Sequence, residues 1–273
     1  MIIVGERING TRSRVREAVI ARDADFISEE AMRQAEAGAD YIDLNAGTDP
    51  QREPEDLVWL VTTVQEVVDK PLCIDSPNVE ALQAGIEACR VGQERAPAPL
   101  VNSASAESSR MEAVLGLVAA HGARVVGLTL DDSGLPKSAE QRISIARTLV
   151  QSAEALGIAR DDIFIDALAR AVAVENEQAA ALLEAVAGIR AALPGVHLIC
   201  GLSNISFQMP SRRLLNRTFV AMAMARGLDA AIVDPLDGGL MAAVCAAQLL
   251  HGQDEMCVGY IQAHRAGRLA EWS

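Results

Sequence analysis

Lysine is almost missing from this chain. Of 24 basic residues among 273, only Lys70 and Lys137 are lysines, and the net charge is −13. No basic face is available for a phosphate backbone or an anionic lipid surface, which excludes nucleic acid and membrane as partners. Aromatic residues make up 3% of the chain and hydrophobic residues 50%, so the core is aliphatic and few ring platforms exist for sugars. The five cysteines, at 73, 89, 200, 245 and 257, show no Cys-x-x-Cys spacing. That excludes a disulfide framework and a thiolate metal cluster, and no metal is expected on this chain. Cys73 and Cys200 sit inside apolar runs, where a thiol behaves as a small hydrophobe. No run approaches the roughly 20 apolar residues of a membrane span. The start, MIIVGERING, lacks the charged and apolar regions of a leader. A reduced, soluble, cytoplasmic protein is expected.

What is present is a repeated unit of short apolar strand and amphipathic helix. Ile2–Gly5 opens the chain, and helical spacing follows over Asp25–Gly38, closed by glycine. The next units pair Tyr41–Asn45 with Pro54–Val68, Pro71–Ile74 with Val79–Cys89, and Pro99–Val101 with Arg110–His121. Then come Val125–Leu130 with Ala139–Leu156 and Ile163–Ile165 with Glu175–Leu193. The last two pair the run ending at Gly201 with Leu214–Arg226, and Ala230–Val233 with Gly239–His251. Eight such units within 273 residues predict an α/β chain folded as a single-domain (β/α)8 TIM barrel over 1–273. A doubly wound open sheet would carry a glycine-rich phosphate turn after its first strand. Gly5–Gly10 lacks that pattern.

Most predicted strands end in an acid or an amide: Glu6, Asp43 with Asn45, Asp75, Asn102, Asp131, Asp166, Asn204 and Asp234. In a barrel these ends converge on one mouth. Some serve as helix caps or turn residues, with Asp131 and Asp234 first among them. No histidine falls at a strand end, so the mouth has neither an imidazole base nor a histidine metal site. Ser103 and Ser203 have no base beside them in sequence to make a nucleophile. What remains suits a flat, nitrogen-rich heterocycle. Carboxylates accept from ring N–H and exocyclic NH2 groups, and asparagine both donates and accepts. A pterin has such an edge.

The ordered series GERIN (5–9), DLNAG (43–47), CIDSPN (73–78), VNSASAE (101–107), GLTLDDSGLP (127–136), FIDAL (164–168), GLSNISF (201–207) and RRLLNRTFVAMAMARGLDAAIVD (212–234) resembles the methyltetrahydrofolate:corrinoid protein methyltransferases. These are pterin-binding barrels related to dihydropteroate synthase and to the folate module of cobalamin-dependent methionine synthase. The resemblance implies that Asp75, Asn102 and Asp166 hold the pterin and that Asn204 is the catalytic residue, approaching N5. It places Ser203, Glu6, Asp43 and Asn45 around them, with Arg212 toward the folate tail or the partner. It further implies methyltetrahydrofolate as substrate, cobalamin carried by a separate corrinoid protein, and a homodimer. This chain departs from the pattern at Phe207, where glutamine is usual, at Asp132, often basic, and at Ala167, often proline. Phe207 is thereby expected to pack on the pterin or the corrinoid. Two other readings compete: a dihydropteroate-synthase-like condensing enzyme, which needs a lysine- and arginine-lined pyrophosphate site, and a non-catalytic pterin-binding protein.

Overall fold

The computed structural model describes residues 1–90, 98–174 and 177–269. Its strands are β1 (Ile2–Asn9), β2 (Tyr41–Asn45), β3 (Leu72–Asp75), β4 (Leu100–Ala106), β5 (Arg124–Asp131), β6 (Ile163–Asp166), β7 (His197–Ile199) and β8 (Ala230–Val233). They pair in parallel in the order β7-β6-β5-β4-β3-β2-β1-β8. The remaining seam, β7 to β8, is closed by Ile232 N donating to Cys200 O at 3.0 Å and Asp229 N to Leu198 O at 3.2 Å. The barrel predicted from the strand–helix repeat is the observed architecture.

The helices are α1 (Ser13–Ala21), α2 (Ala24–Glu36), α3 (Glu53–Gln65), α4 (Val79–Ala88), α5 (Ser108–His121), α6 (Ala139–Ala155), α7 (Gln178–Ala192), α8 (Arg212–Met224), α9 (Gly238–Leu250) and α10 (Val258–Arg265). The predicted start of the sixth helix, Glu175, lies outside the described residues. Helices α1 and α10 are additions to the expected eight. Both are short: α1 has 9 residues and buries one face of Val15, Ala18 and Val19, and α10 has 8 and buries Ala263. Strand β1 also runs past its predicted end at Gly5, through the polar pair Glu6-Arg7, with a register shift between Gly5 and Ile8.

Two apolar layers hold the barrel. One lies between strands and helices and takes Ile3, Ile42, Leu44, Ile74, Val101, Ile165 and Leu198. The other fills the lumen with Val4, Tyr41, Cys73, Leu100, Val126, Phe164, Ile199 and Ala230, one side chain from each strand. Successive strand residues face opposite sides, so each lumen residue fixes the facing of the residue two positions on. Helix caps come from Asp23, Asn78, Ser138 and Asp237, each accepting from a first-turn backbone N–H. These caps leave the strand-end acids free of that duty.

The face beneath the strands is closed by paired charges. Arg124 donates to the Tyr41 hydroxyl at 2.9 Å and to Asp162 at 3.0 Å. Asp229 accepts from Leu198 N at 2.6 Å and pairs with Arg190 at 2.9 Å and His197 at 3.1 Å. At the other end Arg7 clasps the β8–β1 seam, meeting Glu30 of α2 at 2.6 Å and Asp234 after β8 at 2.8 Å.

Gly10 marks a turn that only a residue without a side chain can make. Its N–H donates to Asn45 O at 2.8 Å, and its backbone lies directly on the Ala46–Gly47 segment that follows β2. A Cβ at Gly10 would overlap the Ala46 carbonyl, a backbone group that cannot step aside. Gly10→Ala is therefore expected to destabilise the protein by about 1–3 kcal/mol. Denaturant unfolding checks it, and wild-type stability would show that the two loops can part freely.

Candidate active site

Lumen parity decides which strand-end groups face the mouth. Glu6 stands two residues beyond Val4, Asp43 beyond Tyr41, Asp75 beyond Cys73, Asn102 beyond Leu100 and Asp166 beyond Phe164. Asp75 and Asn102 are direct register partners on β3 and β4. Ser76 N donates to Asn102 O at 3.1 Å and reinforces that pairing just past the strand ends. Asn45 donates its amide to Asp75 Oδ2 at 3.0 Å. Asp166 is buried, and its Oδ1 accepts from Leu168 N at 2.7 Å. The Asn102–Ser103 peptide bond is cis.

Burial dominates the electrostatics. It pushes Asp75 up to about 6 against the opposing Asn45 hydrogen bond, and Asp166 to about 6 against backbone N–H donors from Leu168 and Gly201. Asp43 lies deeper, at 1% exposure, with Oδ1 unpaired. Its burial, then the charge of Asp75, raise it well above the usual carboxylate range. Glu6 is raised by burial too, opposed first by its bond from the Ser203 hydroxyl. Four acids gathered in one desolvated bowl are thus biased toward protonation.

Asn204 sits on a short 3-10 turn, Leu202–Ser206, that follows β7. The turn is pinned from all sides. Leu202, Ile205 and Ser206 are buried, and Ser203 Oγ donates to Glu6 at 2.9 Å. Arg212, at the start of α8, donates to Ser203 O at 2.7 Å and to Ser206 Oγ at 3.1 Å. Asn204 is the exposed residue of this rigid turn, and its amide has no hydrogen-bond partner among the described residues. It arches over Gly201, where a Cβ would come within 3.0 Å of Nδ2. Strand-end polarity in the sequence pointed to this residue; its fixed loop is a tertiary property.

Other candidates fall outside the bowl. Asp131 is one residue out of lumen phase, and its carboxylate closes a local turn on Ser133 N and Oγ at 2.9 and 2.6 Å. Asp132 caps toward Ser108 at 2.7 Å. Asp234 accepts from Leu236 N at 3.0 Å and from Arg7. Arg212 spends two nitrogens on the Asn204 turn, so its observed place is that of a brace. Phe207 is 55% exposed on the rim and packs on nothing in the bowl. Arg110, on the first turn of α5, was not among the sequence candidates, yet it reaches the Asp75 and Asn102 strand ends.

The family profile described as "Pterin binding enzyme" matches residues 5–234. The chain belongs to the pterin-binding enzymes. It is 38% identical over 271 residues to a protein of Eubacterium limosum named methylcorrinoid:tetrahydrofolate methyltransferase, covering 98% of each chain. It is also 32% identical over 246 residues to methionine synthase of Mycobacterium leprae, matching 85% of this chain but only 20% of that longer protein. Among solved structures, dihydropteroate synthase of Yersinia pestis matches with TM-score 0.66 at 17% identity, over 92% of this chain and 94% of that one. The Xanthomonas albilineans synthase with 7,8-dihydropteroate gives 0.65 at 19%, over 92% of each. At those identities the likeness is one of fold.

The raised Asp166 has a stability consequence. A carboxyl whose folded value lies above its unfolded one favours folding in its protonated form, and that advantage disappears as pH rises through about 6. Asp166→Asn is expected to stabilise the ligand-free protein at pH 7.5 by roughly 1–3 kcal/mol, with the difference closing below pH 4. Thermal melts at the two pH values check this; equal melting at pH 7.5 would show that Asp166 is ionised at no penalty.

Proposed function

We propose that this protein is a methyltransferase that moves a methyl group between N5 of tetrahydrofolate and the cobalt of a corrinoid protein. The observation that carries the reading is the unpaired amide of Asn204, held rigidly over a bowl of acids and amides, in a chain similar end to end to a methylcorrinoid:tetrahydrofolate methyltransferase. The bowl suits the ligand. Asp75 and Asp166 each keep an oxygen for ring N–H or exocyclic NH2 groups, and Asn102 can donate and accept beside them.

A corrinoid supplies a cobalt centre that takes or gives the methyl group. The protein's own task is at N5. A tertiary amine leaves badly, so N5 needs a proton or a strengthening hydrogen bond as its C–N bond breaks. Asn204 Nδ2 is a neutral donor whose bond strengthens as charge develops, which stabilises the transition state more than the ground state. In the opposite direction, its Oδ1 accepts a hydrogen bond from N5–H, and the proton that N5 gives up passes to solvent. Glu6, Ser203 and Arg212 keep that amide in place.

A condensing enzyme is the weaker reading. Lys70 lies between α3 and β3, away from the mouth, and Lys137 is exposed at the far end of the β5–α6 loop. Only fold-level likeness supports synthase chemistry. A purely pterin-binding role leaves the poised Asn204 without a task.

The partner would dock on the rim, where Phe207, Leu214, Val174 and Leu135 expose apolar surface at 55, 61, 68 and 52% on the loops after β5, β6 and β7 and at the start of α8. A second copy of the chain would cover a different face. There α8, α9 and α10 expose Met222, Leu250 and Ile261 beside an alanine-lined groove of about 550 Å³ that includes Ala225 and Ala246. A cytoplasmic setting fits the reduced folate and reduced cobalt of this chemistry. Among the described residues no helix is long and apolar enough to cross a membrane.

Asn204→Ala should slow methyl transfer to cobalamin on the order of 10²–10³-fold while leaving methyltetrahydrofolate affinity nearly intact. Asp75→Ala should instead weaken that affinity directly. Stopped-flow spectra of methylcobalamin and titration calorimetry separate the two. Wild-type turnover by Asn204→Ala would remove it as the N5 donor. For the second face, Leu250→Asp should convert a dimer to a monomer by sedimentation; a monomeric wild type would dismiss that interface.

A further inference from the structure

Arg110 is a partly buried cation at the mouth with no task in the chemistry above. It makes no salt bridge within 4.0 Å among the described residues; its donors go to backbone carbonyls instead. Nε and Nη2 donate to Ser103 O at 3.0 and 2.7 Å, Nη2 also to Ser76 O at 3.1 Å, and Nη1 to Pro77 O at 2.6 Å. Ser76 and Pro77 directly follow Asp75, and Ser103 directly follows Asn102. One guanidinium thus fastens the backbones just past two register-paired groups of the bowl. A loop fastener could be neutral; this one places a positive charge where Asp75 feels it.

We propose that Arg110 is a positioning residue for the folate site, setting Asp75 and Asn102 side by side and supplying the positive charge that keeps Asp75 an acceptor. This rests on the reading that Asp75 binds the pterin. The guanidinium matters because its planar fork places four hydrogen bonds on three carbonyls, one more than the three N–H groups of an ammonium can make. Burial lowers Arg110 itself, so its charge is held against desolvation by those carbonyls and by the fields of Glu107 and Asp75.

The groups facing Asp75 are few. Asn45 and Asp43 approach from β2, Cys73 precedes it on β3, Glu53 faces it from α3, and Arg110 from α5. Arg110 is the one cation in that set. Without it, burial and the charge of Glu53 are left to oppose ionisation of Asp75. Charge and geometry can be separated by two substitutions. Arg110→Met removes both, and Arg110→Lys keeps a charge but loses the planar fork.

The test is methyltetrahydrofolate affinity measured by titration calorimetry from pH 5 to 8, with folding verified by circular dichroism. Arg110→Met is expected to raise Kd about tenfold at pH 7 and to move the acid limb of binding to higher pH. Arg110→Lys is expected to raise Kd less and to leave the acid limb in place; should Arg110→Met fail to fold, an unmoved limb with weakened affinity in the lysine variant supports the geometric part. Wild-type affinity and an unmoved limb in Arg110→Met overturn the inference. So does a loss of affinity that is equal in both variants at every pH, which would mark a structural brace alone. Asp75→Asn is measured alongside. If it binds as the wild type does, the pterin reading of Asp75 falls and the inference falls with it. If it loses binding while both Arg110 variants keep theirs, only the inference falls.

Discussion

Everything at the mouth follows from the alternation of side chains along a parallel strand. Tyr41, Cys73, Leu100 and Phe164 fill the lumen because apolar groups must be packed there, and the same backbone then delivers Asp43, Asp75, Asn102 and Asp166 into the bowl above them. The packing that stabilises the barrel and the polarity that serves the site are one pattern read at two heights. A strand that slipped by one residue would bury an acid against the helices and turn an aliphatic side chain into the bowl. Fold stability therefore enforces the register that the site needs.

The two ends of the barrel treat charge differently. Below, Arg124, Arg190 and His197 meet Asp162 and Asp229, so burial there is compensated. Above, the acids stand together with amides and hydroxyls for company, and burial raises their affinity for protons. The cations nearby, Arg7, Arg110 and Arg212, point mostly at other carboxylates or at backbone carbonyls. Among the described residues the four acids of the bowl make no ion pair within 4.0 Å. Binding sites are where such unpaired groups are kept, because a ligand can pair them.

Much of this is visible in the amino-acid order. Strand-end polarity marks nine residues and the strand–helix alternation predicts the barrel, because both are local consequences of periodicity; the family resemblance picks Asp75, Asn102, Asp166 and Asn204 from among the nine. Asp131 and Asp234, the strand-end acids first read as caps or turn residues, do close local turns on Ser133 and Leu236. Helices α1 and α10 are only 9 and 8 residues long, too short for a periodic pattern to repeat. Arg110 leaves no trace, since a side chain that binds backbone carbonyls needs no particular partner residue in the sequence. The role of Arg212 depends on a loop conformation that only packing determines.

The pinned turn around Asn204 has a kinetic meaning. Leu202, Ile205 and Ser206 are buried, and two further side chains, Glu6 and Arg212, clamp the turn from outside, so its amide is presented without any segment having to close over it. Enzymes that assemble their sites by closing a lid wait on that motion. On the proposed reading, this one has nothing of its own to assemble. Its tempo is set from outside, by how often the large corrinoid carrier arrives at the rim and lets go.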